Sequence, residues 1–141
     1  MRSFWPPDIE TTLAKLLTMD SQAQLLVIDD SAVARKILTR QLAQSGYRVH
    51  EAENGASALQ QLEQTPVDLV LMDFFMEPMS GMELLERIRQ LHTPEQLPVL
   101  MMSASKNAEA LEQATRLGAN DFLWKPFTTE LLLSKVQAHL K

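Results

Sequence analysis

Five short apolar runs, separated by stretches of helical periodicity, set what this 141-residue chain can fold into. The runs occupy residues 24–29, 47–52, 67–72, 97–103 and 120–124. They are rich in Val, Leu, Ile and Met, and several are apolar throughout, as strands covered on both faces must be. Between them lie helical stripes. Ala34, Ile37, Leu38 and Leu42 share one face, with Gly46 placed to end that helix. Ala56, Leu59 and Leu62 form a second stripe, Met82, Leu85 and Ile88 a third, and Leu111, Ala114 and Leu117 a fourth closed by Gly118. Leu132, Val136 and Leu140 form the fifth. Strict alternation of strand and helix predicts an α/β fold, a doubly wound five-stranded parallel sheet with right-handed crossovers.

The ends of the runs carry the chemistry. LLVI runs into Asp29 and Asp30, VDLVLM into Asp73, LPVLMM into Ser103 and FLW into Lys125. Parallel strands bring these five residues to one edge of the sheet, where open α/β sheets hold their ligands. Carboxylates gathered there repel one another unless a cation neutralises them, and a hard divalent ion such as Mg²⁺ binds through a few carboxylates, water and phosphate oxygens. Lys125 pairs with a carboxylate or a phosphoryl oxygen, and Ser103 donates a hydrogen bond to the same group. A metal, a lysine and a hydroxyl around an aspartate are the parts phosphoryl transfer needs, and an aspartate can itself be the nucleophile.

Each residue alone has a plainer role. An Asp after a strand is commonly a turn residue or helix N-cap, a Lys before Pro is commonly solvated, and Ser103 is placed to cap the next helix. Five such residues at one edge make that explanation weak as a joint account.

Composition narrows the partners. A net charge of −5 with no basic block argues against direct nucleic-acid or anionic-membrane binding. The absence of cysteine excludes disulfides, thiol catalysis and Cys-ligated zinc. MRSFWPPDIE lacks the apolar core of a signal peptide, and no run has the length of a membrane span. A cytoplasmic location is the expectation. Residues 1–22 stand apart as an N-terminal extension helix: Pro7 and Asp8 suit a helix start, and Ile9, Leu13, Leu16 and Leu17 share a face. This amphipathic segment either packs on its own domain or contacts a partner. The histidines, His50, His92 and His139, have neither metal-site nor triad spacing.

The set LLVIDDS, VDLVLMD with the following PMSG, PVLMMSAS and GANDFLWKPF, in this order, resembles a response-regulator receiver domain of the chemotaxis-regulator type. The resemblance covers residues 23–141. It implies a flavodoxin-like (βα)5 fold with strand order 2-1-3-4-5 and a phosphorylation-activated switch of two-component signalling, not a classical enzyme. By that resemblance Asp73 is the phosphoacceptor, taking its phosphoryl group from a sensor histidine kinase or histidine phosphotransfer protein. Asp29, Asp30, Asp73 and the backbone carbonyl of Phe75 would hold Mg²⁺, with Mn²⁺ as a substitute. Lys125 would pair with the phosphoryl group, Ser103 would be the switch hydroxyl, and Phe122 the aromatic that follows it. The output is a changed affinity for a downstream effector protein. The chain is expected to be a stand-alone receiver or one piece of a longer regulator.

Several residues depart from the family pattern. Ser103 stands where many members carry Thr and lacks the rotamer-restricting methyl. Phe122 replaces a frequent Tyr and has no hydroxyl to fix an inward state. Glu77 precedes Pro78 where members commonly have Pro one position earlier, so this loop should differ locally. Glu77 is either a solvated loop residue or a water-mediated contributor to the metal shell. Phe75, two residues past the acceptor, should hinder water and lengthen the life of the phosphoform. Trp124 shares a strand face with Phe122 and is read either as a partner or homodimer contact or as packing between the last two helices. Two other functions compete: a receiver-like adaptor that is not phosphorylated, and an aspartyl-phosphate phosphatase. The latter needs its nucleophile after the first strand with a second Asp two positions on, whereas Asp29, Asp30, Ser31 and Ala32 stand here.

Overall fold

A computed structural model describes residues 22–140. Strands and helices alternate throughout: β1 (Gln24–Ile28), α1 (Ala32–Gln44), β2 (Arg48–Ala52), α2 (Gly55–Gln64), β3 (Leu69–Asp73), α3 (Gly81–Leu91), β4 (Val99–Ser103), α4 (Ala108–Leu117), β5 (Asp121–Trp124) and α5 (Thr129–His139). The five strands form one parallel sheet in the order β2-β1-β3-β4-β5, as expected. The central strand β3 is buried along its whole length, which is why its sequence is apolar on both faces.

The first strand begins where its apolar run does, whereas the other four begin one or two residues later, for local reasons at β3 and β4. The Asp68 carboxylate accepts the Gln24 amide at 2.7 Å, and β3 begins just after it. Pro98 has no N–H to give, so β4 starts at Val99, whose amide binds the Asn120 side chain at 2.9 Å.

Alternate strand residues feed two cores. Leu25, Val27, Leu69, Leu71, Leu100, Met102 and Leu123 pack against Leu38 and Leu42 of α1 and Leu132 and Val136 of α5. Leu26, Ile28, Val70, Met72, Val99 and Met101 pack against Ala58 of α2, Leu84, Leu85 and Ile88 of α3, and Ala114 of α4. Fully burying one such side chain is worth about 1.5–3 kcal/mol.

Two of the expected helical stripes are corrected. Ile37 is exposed, because the sheet-facing side of α1 turns through Leu38 and Leu42 instead. Ala56 is exposed, and α2 buries Gly55 and Ala58, with Leu59 and Leu62 partly covered. The helices begin at side-chain caps from Ser31, Asn54, Ser80, Asn107 and Thr128, each worth about 1 kcal/mol. Gly46 and Gly118 take the left-handed conformation at the ends of α1 and α4 (φ 96° and 103°), as their placement predicted.

The extension helix expected over residues 1–22 lies outside the described residues except for Gln22, which donates to the Gly46 carbonyl at 2.6 Å. Among the described residues no helix is long and apolar enough to cross a membrane.

Candidate functional site

The strand register assembles the site. Ile28 lies opposite Met72 across β1 and β3, so Asp29 and Asp73, the residues that follow them, emerge side by side. Asp73 is level with Met102, and Ser103 with Trp124, so Ser103 and Lys125 follow one step further along the same edge. The Lys125 amide donates to the Ser103 carbonyl at 2.8 Å and ties the ends of β4 and β5 together.

Lys125 draws the two inner acids together. Its Nζ lies 2.8 Å from Asp73 Oδ2 and 3.3 Å from Asp29 Oδ2. Burial works against the ammonium's charge, but the hydrogen bond and charge of Asp73, then those of Asp29, outweigh it and hold its pKa above the ordinary lysine value. The remaining oxygens are also occupied: Asp29 Oδ1 accepts the Ser31 amide at 2.9 Å and Asp73 Oδ1 accepts the Phe75 amide at 2.9 Å. Asp29 is 1% exposed and Asp73 9%, so Asp73 is the acid that solvent, or a donor, reaches.

Asp30 does not join them. It is exposed, and among the described residues no three Asp, Glu or His side chains converge as a metal cluster, so the three-carboxylate grouping expected from the sequence is not formed. The donor set nevertheless suits Mg²⁺. That ion is commonly held by one or two carboxylates and keeps several waters, and Asp29 and Asp73 offer carboxylate oxygens close enough to share one ammonium.

The Ser103 hydroxyl is turned into its own loop, donating to the Ser105 carbonyl and accepting the Ser105 amide, both at 3.0 Å. Phe122 and Trp124 stack with centroids 6.2 Å apart and planes 13° from parallel, as residues on one strand face. Both rings line a narrow apolar cleft together with Phe74, Phe75, Ser103 and Leu111. Trp124 thus shares its cleft with α4 and the loop after β3. Phe75 is 59% exposed beside Asp73, tilted against Phe74 at 5.3 Å, and Glu77 is exposed in the same loop. The Glu77–Pro78 and Lys125–Pro126 peptides are both cis.

Two further residues shape the site without any sign in the apolar pattern. Gly81 opens α3 hard against the backbone after β3: an added Cβ would strike the Asp73 carbonyl and stand 3.0 Å from Phe74 Cα. Arg35, on α1, donates from Nη1 to the Asp29 carbonyl at 2.7 Å.

Residues 25–137 match the family model of the response regulator receiver domain. The chain is 33% identical over 119 residues to the chemotaxis protein CheY-3 of Vibrio cholerae, an alignment covering 84% of this chain and 92% of that one. It is 38% identical over 121 residues to a V. cholerae protein named "Probable cyclic di-GMP phosphodiesterase", covering 86% of this chain but only 27% of that protein's length. In structure it is similar to the V. cholerae chemotaxis protein CheY4, with a TM-score of 0.81 at 30% identity, over 85% of this chain and all of that one. Fold, strand order and sequence agree: the chain belongs to the response regulator receiver domains of two-component systems.

Proposed function

We propose that this receiver is a phosphorylation-driven switch in which Asp73 accepts a phosphoryl group from a phosphohistidine on a sensor kinase or phosphotransfer protein. The observation that carries this reading is the Lys125 ammonium bridging the buried pair Asp29 and Asp73, with Asp73 the more accessible acid. An Asp73 carboxylate oxygen attacks phosphorus, forming an acyl-phosphate O–P bond as the P–N bond breaks, and the departing imidazole nitrogen takes a proton from solvent. Lys125 exchanges its Asp73 oxygen for a phosphoryl oxygen and so follows the charge as it moves. Asp29, Asp30, Asp73 and the Phe75 carbonyl would hold Mg²⁺, which would supply positive charge to offset the acids and the phosphoryl oxygens. The exposed Val33 and Ile37 on α1, beside the cavity lined by Lys125, Pro126 and Phe127, support docking of the phosphodonor protein there.

The output follows from Ser103. Its hydroxyl leaves Ser105 for a phosphoryl oxygen, the β4–α4 loop moves with it, and Phe122, which already lines the cleft beside Ser103, turns further inward. The face of α4, β5 and α5, including Trp124, then changes its affinity for an effector. Such a switch needs two arrangements that the phosphoryl group biases, and the closed Ser103–Ser105 turn supplies one of them. Incubation with acetyl phosphate and Mg²⁺, followed by intact mass, tests the reading. A phosphoryl adduct on wild type and none on Asp73→Asn is expected. No adduct on wild type, with a cognate kinase as well, would make this chain an adaptor.

A further inference from the structure

Asp29 is held at every polar atom. Its amide donates to the Ala52 carbonyl at 3.2 Å, its carboxylate takes the Ser31 amide and Lys125, and its carbonyl takes Arg35 Nη1 at 2.7 Å. That carbonyl belongs to the peptide that carries Asp30, so the guanidinium holds the plane from which the exposed acid projects. Arg35 is itself fixed: Nε donates to Glu51 Oε1 on β2 at 3.0 Å, its side chain is only 12% exposed, and its own amide closes the first turn of α1 on Ser31 O at 2.9 Å. The planar fork thus spans β2 and the β1–α1 loop with two donors pointed at two different oxygens, which an ammonium cannot reproduce. Lys36 shares Glu51, through Oε2 at 2.9 Å, but its side chain is 68% exposed and among the described residues its ammonium bonds Glu51 alone.

We propose that Arg35 is a positioning residue for the Asp29–Asp30 pair, and that its hold on the Asp29 carbonyl sets how tightly the site takes up Mg²⁺. This rests on the reading of the acids as a Mg²⁺ site.

Charge alone makes the opposite prediction, because removing a cation near an acidic site tightens cation binding. Calorimetric titration with MgCl₂ of wild type, Arg35→Gln and Lys36→Gln separates the two. Both variants lose one positive charge beside Glu51, but only the first loses the bond to Asp29. Arg35→Gln is expected to weaken Mg²⁺ binding about tenfold, as loss of a ligand-orienting partner does. Lys36→Gln is expected to bind at least as tightly as wild type. Should Arg35→Gln fail to fold, Arg35→Lys keeps the charge and the partner Glu51 but not the fork, and it too should bind more weakly. Wild-type or tighter affinity in the folded Arg35 variant would overturn the positioning role while leaving the Mg²⁺ site standing. No binding to wild type would overturn both.

Discussion

Lys125 stands nearer to Asp73 than to Asp29, 2.8 Å against 3.3 Å, so the accessible acid is the one the ammonium grips more closely. This places the counter-charge where a phosphoryl group would arrive and makes Lys125 a stabilising residue before any transfer occurs.

Lys125→Met leaves two carboxylates facing each other without compensation. Removing one partner of a fully buried pair costs about 3–5 kcal/mol. The Lys125 side chain is 29% exposed, so solvent screening lowers the expected loss to about 1–3 kcal/mol. Mg²⁺ should restore part of it, because a cation replaces the missing charge and binds only the folded state. Urea unfolding with and without MgCl₂ checks this; an equal gain from Mg²⁺ in wild type and variant would contradict it.

Gly81 and Gly55 should respond differently to alanine. At Gly81 the new methyl meets backbone, the Asp73 carbonyl and Phe74, and something in the acceptor loop must move. At Gly55 it meets the flexible side chain of Met79, at 2.5 Å from Sδ. Gly81→Ala is expected to lose about 1–3 kcal/mol by overpacking and to slow acetyl-phosphate labelling of Asp73. Gly55→Ala is expected to stay within about 1 kcal/mol and label normally. Labelling rates that do not differ between the two would contradict the argument.

Phe75 exposes its ring beside Asp73, the proposed acceptor, and is expected to hinder an attacking water there. Phosphate release from acetyl-phosphate-treated wild type should therefore be slower than from Phe75→Asn, whose amide orients water. A faster wild type would sink the idea.

Asp121 joins β5 to α5, accepting Lys135 Nζ at 2.7 Å and bonding His139 Nε2 at 3.0 Å. Burial favours its neutral form, but the bonds from Lys135, His139 and the Phe122 amide prevail and lower its pKa. With the folded value below the unfolded one, the unfolded chain binds more protons in the interval between them, so stability rises with pH there. The contribution is complete above the ordinary value of about 3.9 and is lost as pH falls through the lower folded value. Urea midpoints of wild type and Asp121→Asn should converge on acidification across that interval. Curves that stay parallel would exclude the effect.

The pattern of the chain disclosed what depends on periodicity. Strand runs, the order of their polar ends and the glycines after α1 and α4 were all readable, because each is a local choice repeated at fixed spacing. Ile37 and Ala56 were misread because a stripe names a helix face only to within one residue on either side, and the sheet selects which edge of the stripe is buried. Arg35 was invisible for another reason. Its partners come from a loop and from a strand edge, and no spacing in sequence encodes the reach of a guanidinium. Asp30 directly follows the buried Asp29 yet is exposed, because successive side chains at a strand end point in different directions, and adjacency in sequence does not say which.

The contact between Asp29 and Lys125 joins residues 96 positions apart, on strands separated in the sheet by β3 and β4. During synthesis both inner acids are made long before their counter-charge. The site is complete only once the last strand has docked. A ribosome-bound or clipped copy lacking β5 would thus present its acids without the ammonium, poorly equipped to capture a phosphoryl group. On the proposed function, competence to accept a phosphoryl group would thereby depend on the last strand being in place.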